Sequence, residues 1–209
     1  MKPNYQAAKK CAFNLLKQLP DYFTHHNIVH TKRVLNACIE LGKLEDINEN
    51  KQLLINTAGL YHDLGYLERY INNEKIGAKI ASNILPLFNY SKNQINQIEQ
   101  MIMATRLNYD NSKIIQSASP NNILEKIICD ADLYHLGHPN FLKERDRLRT
   151  ELNAFGGKIS KNEWLHQQLS FLEGHEYLTY SAKLLKKPQK EINRLEIIKL
   201  IEQSKNIHH

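Results

Sequence analysis

Apolar residues recur at spacings of three and four from one end of the chain to the other, and the strict alternation of a half-buried strand is nearly absent. The pattern predicts an all-α protein of about nine helices, at about 4–19, 26–45, 49–65, 73–85, 91–104, 120–135, 139–154, 160–186 and 189–205. Pro20, Pro86 and Pro188 follow segment ends, Pro120 and Pro139 stand where a first helical turn would start, and Gly156-Gly157 makes a loop. Ser91 with Gln94, and Ser160 with Glu163, have capping-box spacing. The stretch 105–119 is polar and short of periodicity, so it is expected to be irregular, and a loop of that length is often functional. No repeat or low-complexity linker divides the chain, which predicts one domain over residues 1–209.

Composition narrows the class. With 209 residues, 42% hydrophobic and 24% charged, the chain has the make-up of a soluble globular protein. Apolar runs stay near four residues, far short of the ~18 a membrane-spanning helix needs. Lys9 and Lys10 interrupt the amino-terminal apolar residues, so no secretory signal is expected and a cytoplasmic location is. Cys11, Cys38 and Cys129 are too few and dispersed for a disulfide framework or a cysteine zinc site, and read as buried free thiols. His208 and His209 resemble the stub of an affinity tag and stay outside the site argument.

The net charge of +6, from 28 basic against 22 acidic residues, raises nucleic-acid binding as a question. The densest charged run, Lys143 to Arg149, places basic residues two apart. That is about 200° around a helix, so they form no phosphate-tracking stripe. A solvated helix laced with ion pairs is expected there, and nucleic acid is not expected as a partner. The mild positive field suits small anionic substrates, nucleotides among them.

The chemistry gathers around histidines and buried acids. His26 and His30 are four apart, a spacing that shares one helical face. His62-Asp63 lies inside the apolar segment Ala58 to Tyr66, and Asp130 and Asp132 lie inside Ile127 to Leu133. A carboxylate in such a setting is costly unless paired or bound to a metal. Imidazole nitrogen with carboxylate oxygen is a ligand set for a divalent cation.

The order of these residues carries a resemblance. His30 in an H-x-x-R-V setting, His62-Asp63 followed by Leu-Gly, and Ala131-Asp132 followed by Leu together resemble the HD superfamily of metal-dependent phosphohydrolases, most clearly over residues 26–137. The resemblance implies a helical core around one ion, with His30, His62, Asp63 and Asp132 as metal ligands. Asp130 is a rival to Asp132, and the family context selects Asp132. The chain departs from two-metal relatives in having no histidine from 64 to 134: it reads Asn72-Asn73-Glu74 and Met103-Ala104-Thr105-Arg106 where such relatives carry further ligands. One divalent ion is therefore expected, with manganese, iron, cobalt, nickel, zinc and magnesium all open and Glu74 available as an extra oxygen ligand.

The implied reaction is hydrolysis of a phosphoester in a nucleotide or similar small phosphorylated metabolite by metal-activated water. The leaving oxygen would take a proton from His26 or His135, Glu74 would orient water, and Arg106 would hold the phosphate, with the 105–119 loop closing over it. His138, His166 and His175 read as structural. The competing readings are a cyclic-nucleotide phosphodiesterase of the same superfamily and a non-catalytic module that senses a metal or nucleotide. A substrate panel would separate catalysis from sensing. Oligomeric state is not legible.

Overall fold

The computed structural model describes residues 2–110 and 113–206, with the side chains of 109, 110 and 206 left aside. The expectations attached to His208 and His209 fall outside the described residues, as do positions 111 and 112 of the polar stretch.

Nine α-helices form among the described residues: α1 (Tyr5–Leu16), α2 (Ile28–Leu44), α3 (Glu49–Tyr61), α4 (Asn73–Ile84), α5 (Lys92–Ala104), α6 (Ile123–Asp132), α7 (Phe141–Ala154), α8 (Lys161–Gly174) and α9 (Tyr180–Asn206). The all-α expectation holds. Short 3-10 turns follow α3 (Leu64–Leu67), α4 (Leu85–Phe88) and α6 (Leu133–Gly137). No helix is long and apolar enough to cross a membrane among the described residues. The two capping boxes form, Ser91 with Gln94 and Ser160 with Glu163, each satisfying a first-turn amide that would otherwise lack a partner. The core runs through α2, α3, α5 and α6, where Leu41, Ile55, Leu60, Ile98, Ile102, Ile127 and Ile128 are fully buried.

Four local expectations are corrected. Helix α2 starts at Ile28, because Asn27 caps it by accepting from the amides of Val29 and His30; His26 therefore precedes the helix and does not share its face with His30. The segment 160–186 breaks at 175–179, where Asp130 accepts from the amides of Leu178 and Thr179. Helix α9 then runs through Pro188, so that proline marks no end and only removes one amide from the ladder.

The fourth correction concerns 105–119. Part of this stretch is an antiparallel hairpin, β1 (Leu107–Asp110) with β2 (Lys113–Gln116), in which Leu107 pairs with Gln116 and Asn108 with Ile115. Four residues per strand, with few apolar ones, are too short to show a period of two in sequence.

Candidate metal centre

Helix ends build the site. His30 is the third residue of α2, His62 caps the carboxyl end of α3 with Asp63 next to it, and Asp132 closes α6. Two glycines set how closely α4 covers this turn. A Cβ on Gly77 would lie 2.8 Å from the His62 carbonyl oxygen, and one on Gly65 would lie 1.8 Å from that of Asn73. Only a hydrogen at these positions lets the α4 backbone rest on the His-Asp turn.

The four side chains converge. His30 Nε2 lies 3.1 Å from Asp132 Oδ1, 3.3 Å from His62 Nε2 and 3.3 Å from Asp63 Oδ2. His62 Nε2 lies 3.2 Å from Asp63 Oδ2 and 3.5 Å from Asp132 Oδ1. Donor atoms of His30, His62 and Asp132 all fall within 4.8 Å of one another, the spacing of a group able to hold a metal ion. His30, His62 and Asp63 are buried. The His62 Nδ1 lies 3.0 Å from the Gly59 carbonyl, a contact that orients the ring so that Nε2 faces the cluster. Asp63 Oδ2 is buried without a hydrogen-bond partner. A buried carboxylate oxygen left bare is expensive, and its surroundings of two imidazole nitrogens and a second carboxylate fit a cation.

The electrostatics point the same way. Burial works against a positive charge on His62, yet Asp63 and Asp132 outweigh it and hold its pKa well above the usual histidine value. Burial likewise opposes ionisation of Asp132, and the hydrogen bonds of His30 and His62 keep it well below the carboxylate range. The cluster carries a field that favours added positive charge.

Asp130, two residues away, points elsewhere. It accepts from the Leu178 amide, the Thr179 amide and the Thr179 hydroxyl, each at 2.7 Å, and so anchors the start of α9.

Beside the cluster lies a cavity of about 590 Å³, within the range of small-molecule sites. His26, Tyr66, Tyr70, Asp132, His135, Trp164, Gln168 and Phe171 line it, and Leu107 and Ile114 of the hairpin close one side. No lysine or arginine lines it among the described residues.

The remaining expected residues divide. His26 stands in the cavity wall with its Nδ1 against Glu151 Oε1. Burial lowers its pKa, but the Glu151 bond and the Asp63 charge outweigh this and raise it above the ordinary 6.5. His135 also lines the cavity, yet burial and the neighbouring His30 push it down to about 4, so it is neutral at pH 7. Glu74, in the first turn of α4, is half-buried and feels the charges of Asp63, Asp132 and Arg106, but it does not line the cavity.

Arg106 is exposed and faces a separate surface depression with Asn108. The hairpin explains this: alternation turns Leu107 inward and its neighbours Arg106 and Asn108 outward. Arg106 is thus not brought to the cavity. Arg33 binds Glu144 at 2.7 Å. His138 accepts from the Asn140 amide, His166 is exposed, and His175 packs between Phe171 and Tyr177.

Sequence reasoning missed the α7 wall. The run Lys143–Arg149 is no solvated helix face: Glu144 and Arg145 are buried, and Glu151 just beyond is fully so. Glu151 accepts from the His25 amide at 2.8 Å, the His26 amide at 3.0 Å and the Tyr70 hydroxyl at 3.1 Å, besides the His26 ring. The available signal was weak: Leu148 and Leu152, both in the cavity wall, flank Glu151 at spacings of three and one.

A helical core that gathers two histidines and two aspartates at helix ends, open to a small-molecule cavity, defines a class of metal-centred α-helical proteins. The HD domain model matches residues 27–137, more than half of the chain, and the protein belongs to that family. The fold is similar to a solved structure named as a predicted HD superfamily hydrolase from an uncultured Thermotogales bacterium, with a TM-score of 0.59 and 16% identity, covering 99% of this chain and 94% of that one. No curated protein matches the chain.

Proposed function

We propose that the protein is a metal-dependent phosphohydrolase that cleaves a phosphoester of a nucleotide or similar small phosphorylated metabolite. The observation that carries this reading is the convergence of His30 Nε2, His62 Nε2, Asp63 Oδ2 and Asp132 Oδ1, in which the buried Asp63 Oδ2 lies 3.3 and 3.2 Å from the two imidazole nitrogens without a well-directed hydrogen bond. His30, His62, Asp63 and Asp132 would hold one divalent ion. When bound, such an ion supplies Lewis acidity and lowers the pKa of water toward ~7. The rest falls to the chain. His26, whose pKa the Glu151 bond and the Asp63 charge raise, would hold a proton in the cavity wall for the leaving oxygen, a role for which His135 is too weakly basic. Tyr66, Tyr70, Trp164 and Phe171 give a flat, largely apolar surround suited to a base or other uncharged ring, and exclude water from the reacting group.

Within this reading, charge favours a phosphodiester. Asp63 and Asp132 cancel the formal charge of one divalent ion, and Glu151 cancels His26. No lysine or arginine lines the cavity among the described residues to meet further negative charge. A diester carries a single negative charge and requires the least compensation. The test is a comparison of bis(p-nitrophenyl) phosphate, p-nitrophenyl phosphate and a set of cyclic and linear nucleotides, each with added manganese. Diester cleavage that disappears in Asp63→Asn supports the proposal; no turnover of any ester with metal bound would favour the sensing module.

A further inference from the structure

Helix α9 has two apolar faces, and the fold uses one of them. Ala182, Asn193, Ile197 and Ile201 are buried, and the helix packs with them against α8, α2 and the turn Leu133–Gly137. On the opposite side Tyr180 is 75% exposed, Leu184 64%, Leu195 53% and Ile192 50%, with exposed Pro188 among them. At about 100° per residue these five fall within about 120° of arc, centred roughly opposite the buried set. A surface helix ordinarily shows charged residues there. A contiguous exposed apolar stripe of this kind marks an interaction surface.

The charges beside the stripe identify its occupant. Lys187 and Glu191 lie along one edge, and neither edge has a uniform sign. If α9 meets a second α9 antiparallel about a two-fold axis, residue pairs whose numbers sum to about 379 face each other. Leu184 then meets Leu195, Pro188 meets Ile192, and Lys187 meets Glu191, each pair occurring twice by symmetry. The stripe is complementary to its own reversed copy in shape class and in charge, which is the requirement for an isologous contact. A parallel arrangement would instead set Lys187 against Lys187. Glu191 is exposed and already binds Arg194 of its own helix through both carboxylate oxygens, at 2.7 to 3.1 Å, so the Lys187 contact of a second copy would add to that pair.

We infer that this face of α9 is a homodimer interface, in which Leu184, Pro188, Ile192 and Leu195 pair with the same residues of a second copy and Lys187–Glu191 contacts fix the antiparallel register. No residue of α9 lines the cavity beside the histidine-aspartate cluster among the described residues, so the inference is independent of the proposed reaction. A single helix pair is smaller than a standard interface of about 1,600 Å², so assembly is expected to depend on concentration in the micromolar range.

Sedimentation velocity over roughly 1–100 μM full-length chain tests it. The expected result is a mass rising toward twice the 24.4 kDa of one chain. Leu184→Glu, at an exposed position that leaves the fold intact by circular dichroism, should weaken association about tenfold or more. The charge test separates a contact between copies from one within the helix. Lys187→Glu alone and Glu191→Lys alone should each be monomeric, while an equimolar mixture of the two should form a heterodimer, because both cross pairs become opposite in sign. A wild type that stays at 24.4 kDa at the top concentration, a dimer unaffected by Leu184→Glu, or single-charge variants that fail to pair on mixing would each overturn the inference.

Discussion

Two regions of this protein bury carboxylates, and they treat them in opposite ways. On α7, Glu151 accepts from two amides, an imidazole and a phenol, and Glu144 binds Arg33 and Arg147 at 2.7 and 2.9 Å. Across the cavity, Asp63 keeps one buried oxygen without a well-directed hydrogen bond, held only by its charge contacts with the His30 and His62 imidazoles at 3.3 and 3.2 Å. The α7 acids are met by amide, phenol and guanidinium donors at hydrogen-bond distance, whereas Asp63 and Asp132 face only the two imidazoles and each other across a gap that suits a cation. The difference separates an acid that the fold fully hydrogen-bonds from one whose surroundings suit a cation: both are buried, but only the first has well-directed donors for its oxygens.

The largest effect should come from the incomplete side. Asp63→Asn removes a ligand charge and is expected to cut turnover by about a thousandfold or more, several kilocalories of charge stabilisation at about 1.4 kcal/mol per tenfold. Elemental analysis should show the bound metal gone. The chelated variant should melt less far below chelated wild type than chelated Glu151→Ala does, since Asp63 is held in the metal-free protein only by its charge contacts with His30 and His62. A marked drop in the melting temperature of the metal-free variant would place Asp63 with the scaffold acids instead.

Glu151→Ala should do the reverse. Breaking a buried, fully bonded pair costs about 3–5 kcal/mol, so urea unfolding is expected to shift by that amount even in the chelated protein. Metal removal itself comes next: at a hundredfold excess over Kd, loading should add about 2.7 kcal/mol of stability to wild type and nothing to Asp63→Asn. Thermal melts with and without chelator measure both.

The smallest expected effect is on pH dependence. His26 is raised above its ordinary 6.5, so its bond to Glu151 is fully present below that pH and is lost as pH rises through the folded value. Glu151 is lowered below 4.5, so its share is present above 4.5 and lost as pH falls through its own folded value. Activity that needs protonated His26 should therefore fall on the alkaline side, at a pH above 6.5. Glu151→Gln removes the carboxylate charge and should move that limb downward in a kcat/KM profile. A limb that stays in place would assign the titration to another group.

The contrast also explains what was legible in the sequence. Helix positions emerge from spacing and caps because both are local: Ser91 and Ser160 announce their helices within four residues. His30, His62, Asp63 and Asp132 are legible because acids interrupt apolar runs there and the order of the four resembles the HD superfamily; position alone left Asp130 as a rival to Asp132. Glu144 and Glu151 gave no such signal, since their neighbours Lys143, Arg145, Arg147 and Arg149 read as a solvated face. Their burial depends on His25, His26, Arg33 and Tyr70, which are more than eighty positions away by chain. The outward turn of Arg106 was hidden for the same reason, because it depends on a hairpin only four residues per strand. Pro188 misled in the other direction: a residue that usually ends helices sits inside one whose buried face holds it in place.

Every member of the quartet stands at the first or last turn of its helix, where backbone hydrogen bonding is thinnest and segments fray first. An ion held there would act on motion as well as on chemistry, by tying three chain ends that otherwise open independently. Amide hydrogen exchange offers a view of this that needs no substrate. Loading should slow exchange together at the amides around His30, at 62–65 and at 130–133, while the middle of α3 and α6, already packed in the core, should change little.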